Sequence, residues 1–185
     1  MNTNTISITG SAGKTSVKEL TGFCLNKLEK TYSSKRSFNN KFGVPLSIFN
    51  MPETAKFSVL EVGMDKKGEI DYLTKLIKPN LGLITNISYA HIKNFKNLNH
   101  IAKAKSEIID NIVSGGTMVI NMDDQYYKYF LRKSKNRGLK IMKYSKSNIN
   151  ADILFLGKKK RSRGYIIKLK IKGEKKSFLV SENLS

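Results

Sequence analysis

The stretch "ITGSAGKTS" (residues 8–16) sets two glycines, a lysine and four hydroxyl residues where an apolar run gives way to a helical pattern. Backbone N–H groups of a glycine loop, with the first turn of the following helix, make a cradle for phosphate oxygens. In such a loop Gly10, Ser11, Ala12, Gly13, Lys14, Thr15 and Ser16 surround a nucleotide's phosphates. Lys14 then reaches the outer phosphates, and the Thr15 hydroxyl ligates Mg²⁺. The match to G-x-x-x-x-G-K-[ST] is incomplete, because its first glycine would fall at Ile8. The chain carries the shorter G-S-A-G-K-T from Gly10 instead. A plain glycine turn beside a stray lysine is the alternative; the strand and helix patterns on either side count against it.

Three further residues have types suited to the same chemistry. Glu61, in "VLEVG", ends a strand that reads as buried on both faces. A carboxylate there must be protonated, paired or metal-bound. The carboxyl ends of parallel strands form the ligand crevice, so a glutamate beside a phosphate loop suits Mg²⁺. A structural ion pair is the other reading. His91, in "TNISYAHIKNF", follows the next strand and falls on a loop at the same edge, either as a ligand or as an ordinary surface histidine. Wound as a helix, "IAKAKSEIIDNI" (101–112) puts Ile101, Lys105, Ile108 and Ile112 on one stripe, with Lys103, Glu107 and Asp110 across from it. A lysine on an apolar stripe has two fates. Its stem can pack while its ammonium reaches water, or burial can lower its pKa and leave a neutral amine.

These residues need a scaffold that brings strand ends together, and the hydrophobic pattern supplies one. "TISITG", "FSVLEV", "LGLITNI", "TMVINM" and "KIMKYS" read as strands. Between them lie helical stretches: Thr15 to Leu28, "GEIDYLTKLI" closed by Pro79, residues 98–113, and "QYYKYFLRKSK" with Gly138 behind it. The first of these is expected to face the core with Val17, Leu20, Phe23, Cys24 and Leu28. Strands alternating with helices predict an α/β fold: a mostly parallel, phosphate-loop-type sheet with helices on both faces over residues 1–150. From 151 to 185 three strands joined by basic, glycine-containing turns predict a small antiparallel meander.

Bulk properties bound the function. The 185 residues suffice for one domain with a real core. No apolar run approaches the ~20 residues needed to span a bilayer, and the N-terminus carries no export signal. The single Cys24 fits a reducing cytoplasm. The net charge of +20 invites a polyanionic partner. Only "KKKRSR" (158–163) is dense, however, and no aromatics interleave with it, so no specific nucleic acid is expected.

Taken in order, "GSAGKTS" (10–16), "NNKFGVPL" (39–46), "EVGMDKKGEI" (61–70), "PNLGLITNISYAHIKNF" (79–95), "IAKAKSEI" (101–108) and "NMDD" (121–124) resemble the central ATP-binding domain of the Mur ligases. The asparagine pair and the "EVG…GEI" stretch point to the branch that adds D-Ala-D-Ala to UDP-MurNAc-tripeptide in peptidoglycan precursor synthesis. The resemblance implies ATP and Mg²⁺ as ligands. It implies that Lys14 holds the ATP phosphates, that Thr15 and Glu61 bind Mg²⁺, and that His91 serves a second metal. It also implies that Lys105 reacts with CO₂ to become a carbamate, an anionic metal ligand. Asn39 and Asn40 fall toward the acyl substrate. The implied catalytic set is Lys14, His91 and Lys105, acting through an acyl phosphate.

Ligases of this kind have three domains, and the resemblance covers only the central one, itself incomplete at its C-terminal end. The expectation is a cytoplasmic, monomeric chain truncated at both ends, without the UDP-sugar and amine-carrying domains, and inactive or partial alone. A sister ligase adding another amino acid, a phosphate-loop NTPase and a non-catalytic nucleotide-binding remnant remain as alternatives.

Overall fold

The computed structural model describes residues 3–89, 95–162 and 164–181. Its strands are β1 (Asn4–Thr9), β2 (Thr31–Ser33), β3 (Phe57–Glu61), β4 (Leu81–Ile84), β5 (Thr117–Asn121), β6 (Lys140–Ser145), β7 (Ile153–Arg161), β8 (Gly164–Ile171) and β9 (Glu174–Ser181). Its helices are α1 (Lys14–Leu25), α2 (Gly43–Phe49), α3 (Glu69–Ile77), α4 (Leu98–Lys105), α5 (Glu107–Asp110) and α6 (Tyr127–Asn136). All strands join one nine-stranded sheet in the order β2-β3-β1-β4-β5-β6-β7-β8-β9.

Pairing is parallel from β2 through β7 and antiparallel for β7-β8-β9. The fold is therefore α/β with a C-terminal antiparallel region. That region is no separate layer, because β7 pairs with β6 through Tyr144 and Ser145 and extends the same sheet.

Chain order turns about β1. After β1 the chain fills the β2/β3 side, then crosses to β4 and beyond. A crevice opens at such a reversal, beyond the carboxyl ends of the strands. In register Ile8 lies beside Glu61 and Thr9 beside Ile84. The loop after β1 thus emerges between the ends of β3 and β4.

On one face, α3, α4, α5 and α6 bury Ile70, Leu73, Ile101, Ala104, Ile108 and Phe130 against Ile84, Met118 and Ile120 in one cluster. Each fully buried aliphatic side chain there contributes ~1.5–3 kcal/mol. The helix expected across 98–113 is divided at Ser106 into α4 and α5.

The other face is covered by α1, and here the expected inner stripe is wrong. Leu20, Phe23 and Leu28 are 50%, 51% and 74% exposed, and Cys24 is exposed as well. The buried residues of α1 are Lys18 and Gly22. The phosphate loop fixes the helix phase, because Lys14 and Thr15 must face the strand ends. Positions one and two turns on, Lys18 and Gly22, then face the sheet. At Gly22 a Cβ would lie 2.1 Å from Ser33 Oγ and 3.4 Å from Ser33 Cβ, so an alanine there would require the Ser33 hydroxyl to turn away.

Candidate functional site

The loop between β1 and α1 takes its shape from two glycines. Gly10 has φ 150° and Gly13 φ 77°, and a Cβ on Gly10 would meet Thr85 Oγ1 at 1.8 Å. Thr85 Oγ1 donates to Ala12 O at 2.6 Å. Ser11 N and Ala12 N donate to Asn86 O and Asn86 Oδ1, both at 2.9 Å. Ser11 Oγ donates to Ser88 O at 3.0 Å. The outer half of the loop is thereby stitched to residues 85–88. Lys14 Nζ folds back to Gly10 O at 3.0 Å. No side chain caps α1, and no acid occupies its first turn. Its N-terminal amides and the positive end of its dipole face the crevice, which suits an anion.

Glu61 stands beside this loop, 3% exposed. Its Oε2 accepts from Thr15 Oγ1 and its Oε1 from Asn39 Nδ2, each at 2.8 Å. Sequence reasoning paired Thr15 and Glu61 as metal ligands, and the fold sets them in contact. Asn39 O also accepts from Gly63 N at 2.7 Å, tying Asn39 to the chain just beyond Glu61. Asn40 is spent differently: its Oδ1 accepts from Phe42 N at 3.0 Å and Gly43 N at 2.9 Å, shaping the turn into α2. Among the described residues no three His, Cys, Asp or Glu side chains gather to hold a metal by themselves. A hydroxyl and one carboxylate suit Mg²⁺ that takes its other ligands from phosphates and water.

Behind Thr15 lies Lys18, with no exposed surface. Its Nζ donates to Ser34 O at 2.5 Å and pairs with Glu19 at 2.9 Å. Ser34 Oγ in turn accepts from Glu61 N at 3.3 Å. The arrangement satisfies a buried ammonium and links α1 to the end of β3.

Lys105 is 1% exposed on α4, whereas Lys103 is exposed, as the helical count required. Burial first, and then the positive charge of Lys14, push the Lys105 amine down to about 7. The Lys14 contribution is a repulsion between like charges, which favours the neutral amine on Lys105. Glu107, expected on the wet face, is instead buried, because its carboxylate turns to the start of α3 and accepts from Gly68 N and Asp71 N. His91 lies outside the described residues.

A brace from β5 and β6 supports the loop's partner segment. Asn121 Nδ2 and the Tyr144 hydroxyl both donate to Thr85 O, at 3.3 and 3.2 Å. Asp124 accepts from Ile87 N at 2.7 Å and Tyr126 N at 2.8 Å. Burial, then the charges of Asp124 and Asp123, push the Tyr144 hydroxyl up to about 12, so it remains a donor. The two aspartates of "NMDD" are structural: Asp124 holds 85–88, and Asp123 accepts from Ser145 Oγ and Lys146 N.

A cavity of about 940 Å³ opens beside Lys14, walled by Asn39, Gly63, Met64, Lys66 and Tyr72 among others. Burial works to raise the Glu69 carboxyl, but the Asp65 and Lys66 amides with the Lys66 and Lys41 charges hold it below its usual range. The volume suits a substrate larger than a phosphate group. Lys14, Thr15, Glu61 and Lys105 were expected from the sequence; Lys18, Thr85, Asn86 and Tyr144, which support the loop, were not. Apart from the Lys18–Glu19 pair, the hydrogen bonds of these groups to Ser34, Ala12 and Thr85 span 16 to 74 positions, which local spacing does not reveal. A lysine one turn after Lys14 was the available signal for Lys18.

The Mur ligase middle domain matches residues 8–181. The UDP-N-acetylmuramoyl-tripeptide--D-alanyl-D-alanine ligase of Buchnera aphidicola (subsp. Acyrthosiphon pisum) is 38% identical over 156 residues, which is 80% of this chain and 34% of the relative. The ligase of the same name from Haemophilus influenzae is 34% identical over 157 residues, 81% of this chain and 34% of its own length. A crystal structure of MurF from Acinetobacter baumannii superposes with a TM-score of 0.88 at 27% identity, covering 97% of this chain and 39% of that one. The chain thus spans about a third of the length of the relatives it matches.

Proposed function

Because the chain belongs to the Mur ligase family through that middle domain, we propose that it is the ATP-binding and acyl-activating part of an amide ligase, on the branch joining D-Ala-D-Ala to UDP-MurNAc-tripeptide. Two curated relatives carry that activity in their names. The observation that carries the reading is the bond of the Thr15 hydroxyl to Glu61, next to Lys14 at the start of α1, together with the burial of Lys105.

In the proposed reaction a substrate carboxylate oxygen attacks the γ-phosphorus of ATP, and ADP leaves. The D-Ala-D-Ala amine then attacks the acyl carbon of the resulting mixed anhydride. Inorganic phosphate departs and the amine gives up its proton. Both steps gain mainly from positioning and from neutralising charge on phosphate. Lys14 and the α1 amides hold the phosphates, which displaces Lys14 from its bond to Gly10 O. Thr15 and Glu61 would hold Mg²⁺, which would supply positive charge to offset that of the phosphates. Asn39 keeps the Glu61 carboxylate oriented, and the adjoining cavity receives the acyl end of the substrate.

Lys105 has the property needed to accept CO₂, since only the neutral amine adds to it and burial makes that form accessible near neutral pH. The carbamate would be an anionic ligand for a second cation, to which His91 is the expected companion.

The test is turnover. ADP formation should require both UDP-MurNAc-tripeptide and D-Ala-D-Ala, and should fall when bicarbonate is removed. In a chain that turns over, Lys105→Ala should lose activity and Lys103→Ala should keep it. Turnover indifferent to both acceptors and to Lys105→Ala would identify an ordinary phosphate-loop NTPase instead.

A further inference from the structure

Glu107 is a buried acid that the steps above do not use. It opens α5, two positions after Lys105, and is 9% exposed. Its two oxygens accept from Gly68 N at 2.9 and 3.1 Å, and Oε2 also accepts from Asp71 N at 3.1 Å. Gly68, with φ 91°, immediately precedes α3, and α3 has no side-chain cap on its own flanking residue. A carboxylate from another helical segment supplies that cap. It satisfies amides that a helix start leaves unpaired and sets negative charge at the positive end of the dipole.

The same Gly68 ends the segment that leaves Glu61. That segment, residues 62–68, contributes Gly63, Met64 and Lys66 to the cavity wall. Its near end is pinned by Gly63 N on Asn39 O, and Asn39 also holds Glu61. Its far end is pinned by Glu107. Asn111, by contrast, donates to the Asp71 carbonyl and carboxylate and to Thr74 Oγ1 within α3; it shares Asp71 with Glu107, but these bonds reach neither Gly68 nor Gly63.

We propose that Glu107 is a positioning residue of the nucleotide and acyl site, clamping the cavity-lining segment 62–68 onto the start of α5, which only Ser106 separates from the end of α4 at Lys105. The clamp rests on the MgATP reading above and explains how Glu61 and Lys105, on separate elements, keep one spacing.

The experiment compares the full chain with its Glu107→Leu, Glu107→Gln and Asn111→Ala variants. Calorimetry gives the ATP affinity with and without Mg²⁺, and amide exchange is read at Gly68 and Asp71. Glu107→Leu should speed exchange at both amides at least tenfold. It should also cut the Mg²⁺ enhancement of ATP affinity at least fivefold, leaving Mg²⁺-free affinity within twofold. Glu107→Gln keeps one acceptor oxygen and should recover part of the enhancement. Asn111→Ala should lower Tm with the enhancement intact, as a purely structural contact would.

An unchanged enhancement in Glu107→Leu, or an equal loss in Asn111→Ala, would overturn the proposal. If Glu107→Leu does not fold, Glu107→Gln decides: faster exchange with full enhancement overturns it, and a loss beyond twofold supports it. Failure of the underlying reading looks different, because the unmodified chain would then bind no MgATP.

Discussion

Replacing Lys105 by Met removes the amine and keeps an unbranched side chain of similar reach among Ile101, Ala104 and Ile108. The folded amine titrates at about 7, against an ordinary value of 10.5. Between those pH values the unfolded chain binds the proton and the folded chain does not, so wild-type stability rises with pH by ~1.4 kcal/mol per pH unit. Below about pH 7 the full cost of burying the ammonium is present; above 10.5 it is gone. The interval corresponds to about 5 kcal/mol, an upper figure because relaxation and water entry reduce it. Lys105→Met should therefore be more stable than wild type at pH 6, with the advantage shrinking by about 2–3 kcal/mol by pH 9. Urea unfolding of both proteins at pH 6, 7.5 and 9 measures this, and all other titrations cancel in the difference. Buffers must be free of CO₂, since adduct formation would stabilise the folded wild type by mass action. A difference constant across the three pH values would refute the burial argument.

Two other substitutions test the supports of the loop. Gly10→Ala drives a Cβ into Thr85 at a φ that side chains disfavour; it should destabilise the chain by ~1–3 kcal/mol and abolish MgATP binding in a calorimetric titration. Asp124→Ala leaves the Ile87 and Tyr126 amides without their acceptor. It should cost ~2 kcal/mol in urea unfolding and weaken MgATP binding severalfold, with Lys14 untouched.

The legible parts of this molecule were those that repeat or that carry unusual chemistry. Alternating strands and helices predict the parallel sheet, and the isoleucine stripe singled out Lys105 while leaving open whether its amine is buried or reaches water; the structure buries it. The short β2 and α2 were not legible. "TYS" has only three strand residues, and "GVPLSIF" leaves Leu46 and Phe49 exposed, so neither shows a clear period. The phase of α1 was misread because its apolar residues form a proper stripe that faces outward. The constraint that overrides hydrophobicity there is the attachment of Lys14 and Thr15 to the strand ends. Glu107 was assigned to water for a related reason: on a helical wheel it lies opposite Lys105, and only the position of α3 shows what it caps. Asn39 was expected toward the substrate side; its bond to Glu61 depends on a chain crossing that spacing does not encode.

The account stands on one site in which the phosphate loop and Glu61 act together on nucleotide and metal. The direct measurement is calorimetric titration of ATP, with and without Mg²⁺, into the wild-type chain, Lys14→Ala and Glu61→Gln. The account predicts binding that Mg²⁺ strengthens in wild type, no binding in a folded Lys14→Ala, and in Glu61→Gln an affinity that Mg²⁺ no longer raises. Ordinary MgATP affinity in Lys14→Ala, or a full Mg²⁺ effect in Glu61→Gln, would contradict it.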